Sequence, residues 1–243
     1  MKKAIQIAII GYGKMGREIE KHARAQNLTV TAIVDTPEDW EKHAHQIQSA
    51  DVAIEFTAPE VVVENLKKLF EMGVPVVTGT TGWNQHYELV KSHCEKCNGG
   101  LFYASNFSIG VNLFFALNRH MAKLMNDYSQ YKVAVEESHH KQKLDAPSGT
   151  AISLLDDIIA IHPEYKRWQL VPQSGNENSI PVTAIREEGV TGIHSVKYES
   201  EIDSITINHT ANNRDGFALG ALMAAKWIQG KKGIYTMRDL LNL

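Results

Sequence analysis

Residues 137–151 carry the densest chemistry in the chain: two histidines, two lysines, an aspartate and a Ser-Gly-Thr turn. His139 and His140 are side chains that can give or take a proton near neutral pH. Lys143 adds a fixed positive charge. Pro147-Ser148-Gly149-Thr150 leads into a helical pattern over 148–161, with Ser148 at the N-cap position. Backbone N–H groups at such a helix start attract an anion, and the Ser148 and Thr150 hydroxyls add to them. The segment therefore reads as a site for a small acidic molecule that also needs a proton. The plain alternative is a solvated basic loop ahead of a capped helix. A single His or Lys would fit that reading; this concentration of groups favours the site.

The second set of residues lies near the N-terminus. Gly11-Tyr12-Gly13-Lys14-Met15-Gly16 is a G-x-G-x-x-G motif, and Asp35 follows nineteen residues after Gly16. Gly11 makes a tight turn, Gly13 lets the backbone approach a pyrophosphate, and Gly16 permits close helix–strand packing. Asp35, at the end of the next strand, is placed to take the hydroxyls of an adenosine ribose. A glycine-rich turn in some other α/β protein is the alternative; strand, helix and acid in register favour a dinucleotide. A carboxylate at Asp35 repels a 2′-phosphate, and Thr36-Pro37-Glu38 brings no cation at once, so NADH is expected over NADPH. Lys42 is near enough to modify that preference, and Arg17 could reach a phosphate. Phe56-Thr57 and Gly79-Thr80-Thr81-Gly82 fall at carboxyl ends of predicted strands, the edge where open α/β sheets bind ligands.

The elements that must position these groups follow from periodicity. Residues 5–10, 29–34, 51–56, 74–78 and 101–104 read as strands, and 15–26, 60–72 and 83–97 as helices. Strands separated by helices imply a parallel sheet. After about residue 106 the pattern changes. A long helix is expected over 107–126, a strand over 131–138, the helix 148–161, two or three alternating strands within 176–211, and a last helix over 217–229 packing back on the first domain. Residues 172–178 are the best loop candidate. The fold class expected is α/β: a Rossmann-type parallel-sheet domain formed by 1–106 with 213–243, and an α+β domain over 107–212 with a mixed or antiparallel sheet.

Composition sets the outer limits. The 243 residues are 43% hydrophobic and 22% charged, which suits an ordered globular chain. The net charge of −3 argues against a nucleic-acid partner. No apolar run reaches the ~18 residues of a membrane span. The N-terminal apolar stretch is broken by Gln6 and runs into the glycine motif, unlike a signal peptide. A soluble, cytoplasmic protein is expected. The two cysteines form Cys94-Glu95-Lys96-Cys97 near a predicted helix end, with only His93 close by. Neither a metal site nor a redox pair is expected there. His194 and His209 fall on predicted strands and read as structural.

The run E-x-H-H-x-x-K-x-D-A-P-S-G-T-A from Glu137 to Ala151 resembles the signature of the 4-hydroxy-tetrahydrodipicolinate reductases, also called dihydrodipicolinate reductases. Gly11 to Arg17, Phe56-Thr57-Ala58-Pro59, Gly79 to Gly82, Asn106 to Asn112, and Arg214 with Phe217, Ala218 and Gly220 fit the same family, so the resemblance covers nearly the whole chain. It implies reduction of a small cyclic dicarboxylate by NADH or NADPH, on the route to diaminopimelate and lysine, by a homotetramer. It implies His139 as proton donor and Lys143 as second catalytic residue. His140, Ser148, Gly149 and Thr150 would hold substrate carboxylates. Gly11, Gly13, Lys14, Met15, Gly16, Asp35, Phe56, Gly79, Thr80, Thr81, Ser105, Asn106 and Phe107 would be cofactor positions. Two departures stand out. Ala134 occupies a place where the family usually has an acid, and the chain is shorter than most members, chiefly between Asp35 and Ala50. The shortening touches the adenosine side. A different dehydrogenase of a small carboxylate, or a non-catalytic NAD sensor, are the alternatives. A sensor has no need of the His-His-Lys cluster.

Overall fold

The computed structural model describes residues 4–171 and 178–243. The loop expected over 172–178 therefore lies, Asn178 apart, outside the described residues. The chain divides into two compact units, Met1–Ile109 with Asp215–Leu243, and Gly110–Arg214.

In chain order, the elements begin with β1 (Gln6–Ile10), α1 (Lys14–Ala25), β2 (Thr29–Val34), α2 (Pro37–Lys42), α3 (Ala44–Gln48) and β3 (Val52–Glu55). Next come α4 (Val62–Glu71), β4 (Val76–Thr78), α5 (Tyr87–Lys96) and β5 (Gly100–Tyr103). The second unit is built on α6 (Ile109–Met125), β6 (Lys132–His139), α7 (Gly149–Ile159), β7 (Arg167–Leu170), β8 (Ser179–Arg186), β9 (Gly192–Glu199) and β10 (Ser204–Ala211). The chain then returns to the first unit with α8 (Asp215–Ile228), β11 (Gly233–Tyr235) and α9 (Met237–Leu241).

In the first unit, six described strands form one sheet in the order β11-β5-β4-β3-β1-β2, all parallel. Alternate residues of one strand enter different cores. Ile7 and Ile9 pack with α1 and α8, whereas Ala8 and Ile10 pack with Leu66, Leu69 and Val90 of α4 and α5. Both faces of the sheet are thus covered, which is why its strands are continuously apolar. The last long helix does pack on this unit, as expected, but begins at Asp215.

In the second unit, the order is β10-β9-β6-β8-β7. β6 runs parallel to β8 and antiparallel to β9, so the sheet is mixed. Val133 and Val135 on one face of β6 pack against α6 and α7. Among the described residues, no helix is long and apolar enough to cross a membrane.

Several boundaries differ from the expected ones. The helix expected from 107 starts at Ile109, because Phe107 is buried with Phe102 and Phe56 in the core of the first unit. The helix expected from 83 is preceded by a 3-10 turn, Asn84–His86, while Trp83 is buried. Residues 36–50 hold two short helices, α2 and α3, where none was expected. β7, β11 and α9 were also not expected; each spans five residues or fewer, too short for periodicity to register.

One packing contact admits a direct test. A Cβ at Gly220 of α8 would lie 1.8 Å from the Phe107 carbonyl oxygen, whereas one at Gly216 meets nothing nearer than 3.6 Å. Gly220→Ala should destabilise the protein by about 2 kcal/mol or more in urea unfolding. Gly216→Ala should be neutral, or stabilising by up to about 0.5 kcal/mol. Equal effects of the two would contradict this packing.

Candidate functional site

Strand register assembles the centre of the second unit. Glu137 and His139 lie two residues apart on β6 and share a face. Glu137 is paired across the antiparallel ladder with His194 of β9, and His139 across the parallel ladder with Arg186 of β8. This is the face that carries Val133 and Val135, so the apolar core passes directly into a polar cluster at the end of β6.

Glu137 is fully buried. Its Oε2 lies 2.7 Å from His139 Nδ1, and its Oε1 accepts from an Arg186 guanidinium nitrogen at 3.0 Å and from the Ser148 backbone N–H at 3.2 Å. Burial pushes the carboxyl up, but hydrogen bonding by His139, Ser148 and Arg186 outweighs it and brings Glu137 down to about 2. His139 is 9% exposed, and a Cβ at Gly192 would come within 3.2 Å of its Nε2. Glycine therefore leaves room beside the ring nitrogen that faces away from Glu137.

Ser148 caps α7. Its Oγ accepts from Ala151 N–H at 3.2 Å and lies 3.0 Å from His194 Nε2. Burial, then the charge of His139, lowers His194 to about 4. A neutral His194 protonated on Nε2 can donate to Ser148 Oγ, which leaves the hydroxyl proton for a ligand. Gly149 and Thr150 are the first two residues of α7, so by helix geometry their N–H groups have no intrahelical acceptor. The loop between β6 and α7 is stitched down by Arg186, which donates to the Lys143 carbonyl at 3.3 Å and to the Asp145 carbonyl at 2.7 Å. Lys143 Nζ donates to both carboxylate oxygens of Asp145 at 2.8 Å, and His140 Nε2 lies 3.3 Å from an Arg214 nitrogen. The structure thus brings His139, Ser148 and the start of α7 together, while Lys143 is paired with Asp145 and His140 with Arg214. Ala134, the departure from the family pattern, sits on β6 opposite Lys197.

In the first unit, Gly11 has φ +91°, and a Cβ there would lie 2.1 Å from the Phe56 carbonyl oxygen. A Cβ at Gly16 would lie 2.1 Å from the Gly11 oxygen, which explains glycine at both positions. Gly13 is the N-cap of α1, and a Cβ there would meet nothing within 4 Å, leaving the helix start open. Lys14 and Met15 open that helix. Asp35 is exposed and accepts the Tyr12 N–H at 2.9 Å. A cavity of about 540 Å³ is lined by Gly11, Gly13, Asp35, Trp40, Phe56 and Lys68, among others. An open helix start beside such a cavity fits a dinucleotide. Gly79 lies under the Phe56 ring, Thr80 is buried, and Thr81 is exposed. Ser105 is exposed, Asn106 Oδ1 accepts the Ser108 N–H at 2.9 Å, and Phe107 is 2% exposed. Arg17 does not stand free: its Nε donates to the Tyr12 carbonyl at 3.3 Å.

Five participants carry no assigned role in the sequence motifs. Glu137 was only the first letter of a motif, Arg186 lies 49 residues from it, and His194 read as structural. Trp40 and Lys68, whose Nζ is 5.0 Å from the indole centroid, come from helices that no motif marks. Alternation placing Glu137, His139 and His194 on inward positions was the one available signal. Ligand atoms of Glu137, His139 and His194 lie within 4.8 Å of one another, a spacing an ion could bridge. Glu137 Oε2 and His139 Nδ1 face each other as an ion pair at 2.7 Å, and His194 Nδ1 has no hydrogen-bond partner among the described residues. Cys94 is buried within α5, and burial raises its thiol to about 11, the reverse of a reactive cysteine.

The buried His194 makes acid stability a test. The unfolded chain takes up a proton at His194 near the ordinary value of 6.5, the folded chain only near 4. Between these values acid favours unfolding, and stability rises with pH. From pH 6.5 to 4 the protein should lose up to roughly 3 kcal/mol more than its His194→Asn variant, measured by urea unfolding. Parallel pH profiles would contradict a buried neutral imidazole.

Comparison with known proteins agrees with this geometry. The family model for the dihydrodipicolinate reductase N-terminus matches residues 5–107, and that for the C-terminus matches 110–241. A 4-hydroxy-tetrahydrodipicolinate reductase of Christiangramia forsetii is 44% identical over 238 residues, covering 98% of each chain. One from Methanoregula boonei is 38% identical over 197 residues, covering 79% of this chain and 75% of that one. The structure of a dipicolinate-bound dihydrodipicolinate reductase from Paenisporosarcina sp. TG-14 superimposes with a TM-score of 0.77 at 25% identity, covering 96% of this chain and 98% of that one. Both halves of the chain and its full length therefore lead to one conclusion: it belongs to the dihydrodipicolinate reductase family.

Proposed function

We propose that the chain reduces 4-hydroxy-tetrahydrodipicolinate to tetrahydrodipicolinate with NAD(P)H, a step of diaminopimelate and lysine biosynthesis. The observation that carries this reading is the buried Glu137–His139 pair beside the open start of α7. A cyclic dicarboxylate needs anion-binding groups and a proton source, and this cluster offers both.

When bound, the nicotinamide supplies a hydride. The remaining work falls to the chain. The N–H groups of Gly149 and Thr150, with the Ser148 and Thr150 hydroxyls, bind one substrate carboxylate at the positive end of α7. Lys143 is the second cation: on substrate binding it exchanges Asp145 for a substrate carboxylate. His140 and Arg214 extend the positive surface. Glu137 turns Nδ1 of His139 inward, so that Nε2 delivers a proton to the reduced ring. Arg186 offsets the Glu137 charge, so a protonated His139 leaves the cluster net positive toward a dianion.

In the first unit, Gly11, Gly13, Lys14, Met15 and Gly16 cradle the pyrophosphate at α1, and Asp35 binds the adenosine ribose. Phe56, Gly79, Thr80, Thr81, Ser105, Asn106 and backbone of Phe107 form the remaining contacts. Asp35 favours NADH, and Lys68, lining the same cavity, gives NADPH a cation to meet. The working form is a cytoplasmic homotetramer, in keeping with the family.

The test is a coupled assay in which the preceding synthase makes the substrate from aspartate semialdehyde and pyruvate. Both cofactors should be oxidised, with the higher kcat/KM for NADH; oxidation of neither would sink the proposal. His139→Gln should lower kcat by about 100-fold or more while leaving the KM for NADH within about twofold. A variant turning over at the wild-type rate removes His139 from the proton-donor role. Lys143→Ala should raise the substrate KM and lower kcat, with NADH binding unchanged.

A further inference from the structure

Glu55, the last residue of β3, is a second fully buried carboxylate, and no step described above uses it. Its strand neighbours Val52, Ala53 and Ile54 are apolar and equally buried, so core packing alone gives no reason for a charge here. Thr57 Oγ1 donates to its Oε1. Thr78 Oγ1 and Thr80 Oγ1 donate to its Oε2 at 2.5 and 2.9 Å. Burial pushes the Glu55 carboxyl up, and the hydroxyl bonds oppose it by favouring the charged form; in that form it only accepts, and a threonine hydroxyl has one proton. A hydroxyl that spends its proton on Glu55 can only accept from any other partner. Thr80 Oγ1 accepts the Thr57 backbone N–H at 2.8 Å, and Thr57 Oγ1 accepts from Asn65 Nδ2 at 3.4 Å. The carboxylate thus sets the direction of its three hydroxyl bonds in the net.

The net joins the two turns that follow β3 and β4. The same turns are held by close packing: a Cβ at Gly79 would lie 2.1 Å from a Phe56 ring carbon. Trp83 Nε1 secures the second turn from outside, donating to the Thr80 carbonyl at 2.7 Å. We infer that Glu55 is a positioning residue for the dinucleotide, locking the Phe56–Thr57 and Gly79–Thr80 turns into one preformed edge. This rests on the reading of the first unit as the cofactor carrier. Glu55 touches no reactant; it acts by removing the freedom those turns would otherwise lose on binding.

The test measures NADH binding to the full-length protein by fluorescence titration, together with steady-state kinetics. Glu55→Gln keeps the size but puts an amide donor against hydroxyl donors, so at least one hydroxyl must turn away. The Kd for NADH should rise about tenfold, while the substrate KM, and kcat at saturating NADH, stay within about twofold. Thr78→Val, isosteric and outside both turns, removes one donor and should raise the NADH Kd about threefold. It carries the test by itself if Glu55→Gln fails to fold. An NADH Kd within twofold of wild type in the folded variant overturns the inference. So does a parallel rise in the NADH and substrate KM values, which marks a merely structural role. Gly13→Asp separates this from the underlying reading. If it binds NADH normally, the glycine loop is not the pyrophosphate site; if it loses binding while Glu55→Gln does not, only the Glu55 inference falls.

Discussion

A fully buried carboxylate is stable only where its charge is matched on all sides, and Glu137 meets that condition through three partners from three elements. His139 comes from its own strand, Arg186 from β8 and the Ser148 N–H from the start of α7. Each partner is thereby fixed in place by one group. Removing that group would leave Arg186 without its carboxylate, His139 without orientation and the α7 start without its tie to β6. The hydrogen bonds win against desolvation, which is why Glu137 stays charged where an isolated buried acid would not.

The sheet makes this arrangement possible. β6 is central, with one parallel and one antiparallel neighbour, so residues from three strands meet on one face without any irregular backbone. Val133 and Val135 bury the same face one step earlier, which anchors the register that brings Glu137 opposite His194. Rigidity at the cluster therefore derives from ordinary core packing. The first unit uses a related device, since Glu55 gathers three threonine hydroxyls at the end of a parallel strand. In both units a buried acid at a strand terminus organises the loops that follow it.

Much of this was legible in the sequence because it depends on local pattern. G-x-G-x-x-G between a strand and a helix, Ser148 as N-cap, and the change from alternating helices and strands to consecutive strands are all short-range signals. Glu137 and His139 were within the motif as well. What was not legible depends on which strands become neighbours. Arg186 and His194 reach the cluster only through the pairing of β8 and β9 with β6, and alternation alone does not say that a strand histidine faces a charged group. Trp40 was hidden differently, because α2 is a six-residue helix started by a capping box between Thr36 and Asp39 rather than by an apolar stripe.

Glu137 dictates which nitrogen of His139 faces outward. The most direct measurement is ¹⁵N NMR of the histidine side chains in the free protein at alkaline pH, with His139 assigned through a His139→Gln variant. Neutral His139 should carry its proton on Nδ1, toward Glu137, leaving Nε2 as the bare nitrogen. A neutral imidazole protonated on Nε2, with Nδ1 bare beside the Glu137 carboxylate, would contradict it.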